Sequence, residues 1–215
     1  AQHRWGEAEL ARLTAMVQQR SLFYWKGPQT EALQAEFRQH YDLKHVFPCS
    51  SGTSALHIAV GALRLKPGEE VIVSPITDMG SVIGILYQQG VPVFADLDPR
   101  TYNMTPEAIR AAITPKTRAI MAIHLAGNAC DMTAIMALAK EHNLVVIEDC
   151  AQSWGSRHQG RPVGTIGDFG CYSFNDFKHV SCGDGGMVGT NRDDLGEGLS
   201  KWGDKCYDRV AGTRD

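Results

Sequence analysis

A chain of 215 residues, 43% hydrophobic and 21% charged, is long enough for one sizeable core or for a large domain with an appendage. Its formal net charge of −3 argues against a nucleic-acid or anionic-membrane surface as the main partner, because phosphate-rich surfaces select strongly basic patches. No apolar run approaches the roughly 20 residues that span a bilayer, and residues 1–20 lack the basic-then-apolar order of a leader. The six cysteines, Cys49, Cys130, Cys150, Cys171, Cys182 and Cys206, form no Cys-x-x-Cys pair and have no histidine at zinc-like spacing. They read as small buried hydrophobes in a reducing compartment, so a soluble, cytoplasmic protein without a metal is expected.

In chain order, Leu10, Leu13 and Val17 recur at helical spacing over 7–18. Adjacent aromatics Tyr24 and Trp25 and the Gly27-Pro28 turn signal break that pattern, and a second helix is predicted over 30–41. Residues 1–42 therefore read as an N-terminal helical arm, and 43–215 as the main domain. From residue 45, short β-branched runs alternate with helical ones. Strands are predicted over 45–49, 71–74, 91–95, 119–123, 144–148, 170–174 and 187–190, and helices over 54–65, 81–89, 106–113, 132–141 and 193–202. This alternation predicts a three-layer α/β/α domain on a mostly parallel seven-stranded sheet. In such sheets, ligands collect beyond the carboxyl ends of the strands.

Three strand ends carry chemistry. Cys49-Ser50-Ser51-Gly52-Thr53-Ser54 leads into a helix whose open N–H groups suit a phosphate, although a plain helix cap accounts for the same residues. Glu148-Asp149-Cys150-Ala151-Gln152 brings two acids to the exit of an apolar strand, which suits either a cationic ligand atom or a surface ion pair. Lys178 follows Ser173 and precedes the turn Gly183-Asp184-Gly185-Gly186. An amine there becomes a Schiff-base nucleophile if desolvation or neighbouring positive charge lowers its pKa. Taken together, a phosphate cradle, an acid and then Ser-x4-Lys follow the order suited to pyridoxal 5'-phosphate. The acid pairs with the pyridinium nitrogen and the lysine holds the aldehyde.

With those residues in place, the sequence resembles the DegT/StrS-type sugar aminotransferases, a branch of the fold-type-I pyridoxal phosphate enzymes. The likeness runs through residues 49–57, 67–73, 91–98, 112–120, 124–127, 148–152, 164–168 and 173–186. The resemblance implies Lys178 as the catalytic Schiff-base lysine and proton shuttle, and Asp149 on the ring nitrogen. It also implies Gln152 on the ring's phenolic oxygen, and Gly52, Thr53 and Ser173 on the phosphate. The implied reaction moves an amino group from glutamate or glutamine to a keto sugar, nucleotide-linked in most of the family, or to a cyclitol ketone. A homodimer is implied with it. Alternatives are a keto-sugar dehydratase or deoxygenase, whose relatives carry histidine in place of the lysine, and a catalytically silent cofactor-binding regulatory protein.

The chain departs from the family pattern in three places. Asp78 occupies the position where an aromatic usually stacks on the ring, so it either contacts a substrate amine or hydroxyl, or caps the following helix. Asp184 replaces a longer acid in the glycine-rich turn. Family members also run to nearly twice this length, with a smaller C-terminal domain, whereas this sequence stops at Gly212-Thr213-Arg214-Asp215 and reads as truncated. Tyr24 and Trp25 lie in the arm that approaches the sugar or nucleotide in that family, and they serve equally as a packing staple.

Overall fold

The β-branched runs become the strands of one seven-stranded sheet. In the computed structural model, which describes residues 4–19, 22–209 and 213–214, β1 (His45–Cys49), β2 (Glu70–Val73), β3 (Val91–Phe94), β4 (Thr117–Ile123) and β5 (Val145–Asp149) come first. A short ribbon, β6 (Arg157–His158) and β7 (Arg161–Pro162), then precedes β8 (Phe169–Ser173) and β9 (Gly186–Thr190). The sheet order is β1-β9-β8-β5-β4-β2-β3. Every pairing is parallel except those of β9 with β1 and β8. Six strands therefore end at one edge, and β9 begins there.

The helices are α1 (Glu7–Val17), α2 (Pro28–Tyr41), α3 (Gly52–Ala62), α4 (Gly80–Tyr87), α5 (Pro106–Ala112), α6 (Met132–His142), α7 (Asp193–Gly196) and α8 (Leu199–Gly203). Ile72, Ile120 and Val146 stand in one cross-strand row and share a core with Ile109 of α5 and Ile135 and Leu138 of α6. Alternate strand residues face the other way, toward α3 and α4, which pack on each other. The result is the three-layer α/β/α arrangement. Each fully buried Ile or Val side chain in it contributes on the order of 1.5–3 kcal/mol.

The chain divides into two units, Ala1–Glu36 and Phe37–Asp215, with the division inside α2. Phe37 and Tyr41 belong to the second unit because their rings are buried with Tyr172, Phe174 and Met187, Phe37 meeting Tyr172 edge-on at 4.9 Å. In the first unit, Phe23 and Tyr24 meet edge to face at 5.0 Å, and Gly27 N closes the turn onto Tyr24 O at 3.1 Å.

Where element ends differ from the sequence-based expectation they do so by one to three residues, and one element differs in kind. The helix predicted over 193–202 is split into α7 and α8. Gly196 lies against the His45 ring with no room for a Cβ. Gly198, a poor helix former, starts the second piece as its N-cap. Gly212 and Asp215, named above at the end of the sequence, lie outside the described residues.

Candidate active site

The first strand end builds an anion cradle. Ser51 is the extended N-cap of α3, and its hydroxyl accepts from Ser54 N at 3.0 Å, while Ala55 N bonds to Ser51 O at 3.0 Å. The amides of Gly52 and Thr53 are left as the orphan donors of that first turn. Pairing of Cys49 with Gly186 and of Gly186 with Ser173 aligns β1 and β8 across β9. Gly52 then abuts Ser173 so closely that a Cβ on it would stand 2.7 Å from Ser173 Cβ. Ser173 Oγ accepts from Asn175 N at 3.3 Å and keeps its own hydrogen to donate. Two orphan amides and a buried hydroxyl thus meet where a bulkier residue would not fit, a donor set that suits a phosphate.

Asp149 closes β5 and is buried. Its Oδ2 accepts from Ser81 Oγ at 2.7 Å, and its Oδ1 from Ala151 N at 3.0 Å. Burial pushes this carboxyl above its ordinary value, while the bonds from Ser81 and Ala151 and the positive charge of Lys178 pull the other way. Lys178 and Asp149, distant in sequence, therefore feel each other across this edge. Lys178 itself is half-buried. Its loop is tied at the neck by Phe174 N to Gly185 O at 2.8 Å, Cys182 N to Phe174 O at 3.0 Å, and Asn175 Nδ2 to Asp184 Oδ1 at 3.0 Å. Inside the loop, Lys178 N bonds to Asn175 O at 2.9 Å.

The preceding acid has a different task. Glu148 points to the opposite face of the sheet and is fully buried. Its Oε2 accepts from Gly164 N at 2.8 Å and from His124 Nε2 at 3.0 Å, and its Oε1 from Ile166 N at 2.8 Å and Gly167 N at 2.6 Å. His124 Nδ1 accepts from Cys130 N at 3.1 Å, so the ring hydrogen lies on Nε2 and is given to Glu148. His124, Glu148 and Cys150 place possible metal-ligand atoms within 4.8 Å of one another. Their donors and acceptors are already used within the core, and burial pushes the Cys150 thiol up.

Gln152 Oε1 accepts from Ala126 N at 2.9 Å, which directs the side chain by its oxygen and leaves its amide nitrogen as donor. Asp78 is exposed. Its Oδ1 accepts from Gly80 N at 2.8 Å, a local turn at the entry to α4, whose N-cap residue is Met79. A Cβ on Gly80 would lie 2.6 Å from Thr53 Oγ1 and 3.0 Å from Asp78 Oδ1, so Asp78 borders the first turn of α3. Tyr24 and Trp25 lie in the unit of residues 1–36.

Four contributors were not singled out from the sequence: Ser81, Thr77, Ala126 and Asn175, the partner of Asp184. Thr77 and Ser81 are spaced i, i+4 and meet at 2.7 Å, a helical spacing visible in the sequence. Their partner Asp149 lies 68 residues away and gives no local signal.

The sheet order and the chemistry gathered at its carboxyl edge are those of the α/β class to which aminotransferase large domains belong. More narrowly, the chain belongs to the DegT/DnrJ/EryC1/StrS aminotransferase family, which it matches over residues 4–208. It is 48% identical over 165 residues to a UDP-N-acetyl-3-dehydro-alpha-D-glucosamine 3-aminotransferase of Acidithiobacillus ferrooxidans, covering 76% of this chain and 45% of that protein. Its structure is similar to that of an aminotransferase from Psychrobacter cryohalolentis, with a TM-score of 0.92 and 39% identity over 96% of this chain and 53% of the other. It is also similar to NtdA from Bacillus subtilis with bound cofactor PMP, with a TM-score of 0.85 and 29% identity over 97% of this chain and 46% of the other. The chain thus spans about half the length of the relatives it matches. Among the described residues, no helix is long and apolar enough to cross a membrane.

Proposed function

We propose that this chain is the cofactor-binding part of a pyridoxal phosphate aminotransferase that moves an amino group from glutamate or glutamine to a keto sugar. The acceptor is read as nucleotide-linked, or as a cyclitol ketone. The observation that carries the reading is the convergence at one sheet edge of the α3 cradle with Ser173, the buried carboxylate of Asp149, and Lys178. The likeness to an amino-sugar aminotransferase and to a structure holding PMP supports it.

The residues divide the work. The amides of Gly52 and Thr53 and the Ser173 hydroxyl bind the phosphate. Asp149 holds the proton on the ring nitrogen. Bound there, the cofactor supplies an electron sink for the carbon that loses its proton. Gln152, steered by Ala126, donates its amide hydrogen to the phenolic oxygen. Lys178 Nζ would hold the cofactor's aldehyde carbon, and as a free amine it would take and return the proton at the reacting carbon. Asp78 Oδ2 is available to a substrate amine or hydroxyl while Oδ1 stays on Gly80 N. The presence of Lys178 favours amino transfer over the dehydratase alternative.

We read the working protein as a cytoplasmic homodimer. The six cysteines are free, which suits a reducing compartment. Met79, Leu86 and Tyr87 expose an apolar strip at and along α4, which suits burial by a second copy. The test is spectroscopic. Pyridoxal phosphate added to the protein is expected to give a visible band that bleaches with glutamate or glutamine, and Lys178→Ala is expected to lose both the band and amino transfer. Turnover retained in Lys178→Ala, or no response of the native protein to the cofactor, would overturn the reading.

A further inference from the structure

The contact between Ser81 and Asp149 is one end of a directed chain of hydroxyls. Ser81 Oγ donates to Asp149 Oδ2 at 2.7 Å, and Thr77 Oγ1 lies 2.7 Å from Ser81 Oγ. An ionised carboxylate only accepts, and a serine hydroxyl has one hydrogen. The Ser81 hydrogen is therefore committed to Asp149, and the Ser81 oxygen is left to accept from Thr77. The donor direction runs from Thr77 through Ser81 to Asp149. A protonated Asp149 would be free to donate instead, and the order would reverse, so the direction of the chain is tied to the charge on the carboxyl.

The platform under this chain is fixed. Ser81 is buried at the start of α4, its amide bonds to Asp78 O at 3.0 Å, and Asp78 Oδ1 holds Gly80 N. A bond donated to a charged group is stronger than one between neutral partners, and successive hydroxyls polarise one another in a low-dielectric site. We propose that Thr77 and Ser81 are positioning residues that keep Asp149 ionised despite its burial and turn it toward the ring nitrogen of the cofactor. The second half of that inference rests on the role proposed for Asp149 above. The first half concerns this chain alone. Other titratable groups around the carboxyl are Lys178, on the loop after β8, which favours its ionised form, and His124, at the end of β4, whose Nδ1 accepts from Cys130 N. The remainder are Glu148 and the thiols of Cys150 and Cys171, and the charge on Asp149 helps to raise the pKa values of the two thiols.

The test compares Ser81→Ala, Thr77→Val and Ser81→Thr with the native protein by two readouts. One is the titration midpoint of the Asp149 carboxyl in the cofactor-free protein, followed by carbon-13 NMR of labelled aspartate. The other is retention of pyridoxal phosphate, followed by its visible band. Ser81→Ala is expected to move the midpoint upward and to weaken cofactor retention about tenfold. Thr77→Val should act in the same direction and less strongly, while Ser81→Thr should restore both readouts. An unchanged midpoint in folded Ser81→Ala overturns the relay. If that variant does not fold, an unchanged midpoint in Thr77→Val overturns it. A shifted midpoint in a protein that takes up no cofactor supports the relay's hold on Asp149 and overturns its link to the ring nitrogen.

Discussion

Gly52 and Ser173 touch across the carboxyl edge of the sheet, with room between them for hydrogen and nothing larger. The contact joins the first turn of a helix to the last residue of a strand more than a hundred positions later. It brings the orphan amides of α3 beside a buried hydroxyl. The cradle is thus a property of the pair, set by β9 pairing with both β1 and β8.

Gly52→Ala should disturb this contact directly. Its Cβ would sit 2.7 Å from Ser173 Cβ, so backbone or side chain must shift, at a cost of about 1–3 kcal/mol typical of overpacking. Chemical unfolding should report that loss, and titration with pyridoxal phosphate should show weakened binding. Native-like binding would mean that the two residues do not form one cradle.

Glu148→Gln should be strongly destabilising without touching the proposed ligand face. The carboxylate takes three backbone N–H groups and the His124 ring, and an amide nitrogen cannot accept from any of them. A loss of about 3 kcal/mol is expected in urea unfolding. A loss well under 1 kcal/mol would show that the turn from Gly164 to Gly167 is held by other means.

Asp149→Asn should separate stability from function. Burial raises the native pKa of this carboxyl above its ordinary value of 3.8. A group raised in the folded state adds stability below its unfolded pKa and loses that contribution as pH rises through the native value. At neutral pH the ionised side chain therefore costs the cofactor-free fold stability, and removing the charge relieves that cost. The variant should melt higher than the native protein near pH 7 without cofactor, show little difference below pH 3.8, and fail in amino transfer. A variant less stable at neutral pH by the same margin as at acid pH would contradict this linkage.

Asp184→Ala should loosen the Lys178 loop more than the fold. Asp184 is exposed and accepts from Asn175 Nδ2, and an exposed polar contact of this kind is worth about 1 kcal/mol or less. Unfolding should change little, while the visible band of the bound cofactor and the turnover rate should fall several-fold. Unchanged turnover would show that the backbone bonds at Phe174 hold the loop on their own.

Much of this protein is legible in its sequence because the relevant forces act locally. Runs such as Val71-Ile72-Val73 and Val146-Ile147 are buried on both faces and spell strands without help from distant partners. Ser51 before Gly52 starts a helix by capping it. Asp149 and Lys178 were identifiable as groups at strand ends. The tertiary structure alone decided which ends meet. It set β9 between β1 and β8, turned Glu148 into the core and Asp149 toward α4, split the last predicted helix at Gly196 and Gly198, and tied Asp149 to Ser81 and Thr77. The physical reason is range. Propensity, capping and alternation are encoded within a few residues, whereas the charge state of a buried carboxyl and the width of a cradle depend on groups that only folding brings together.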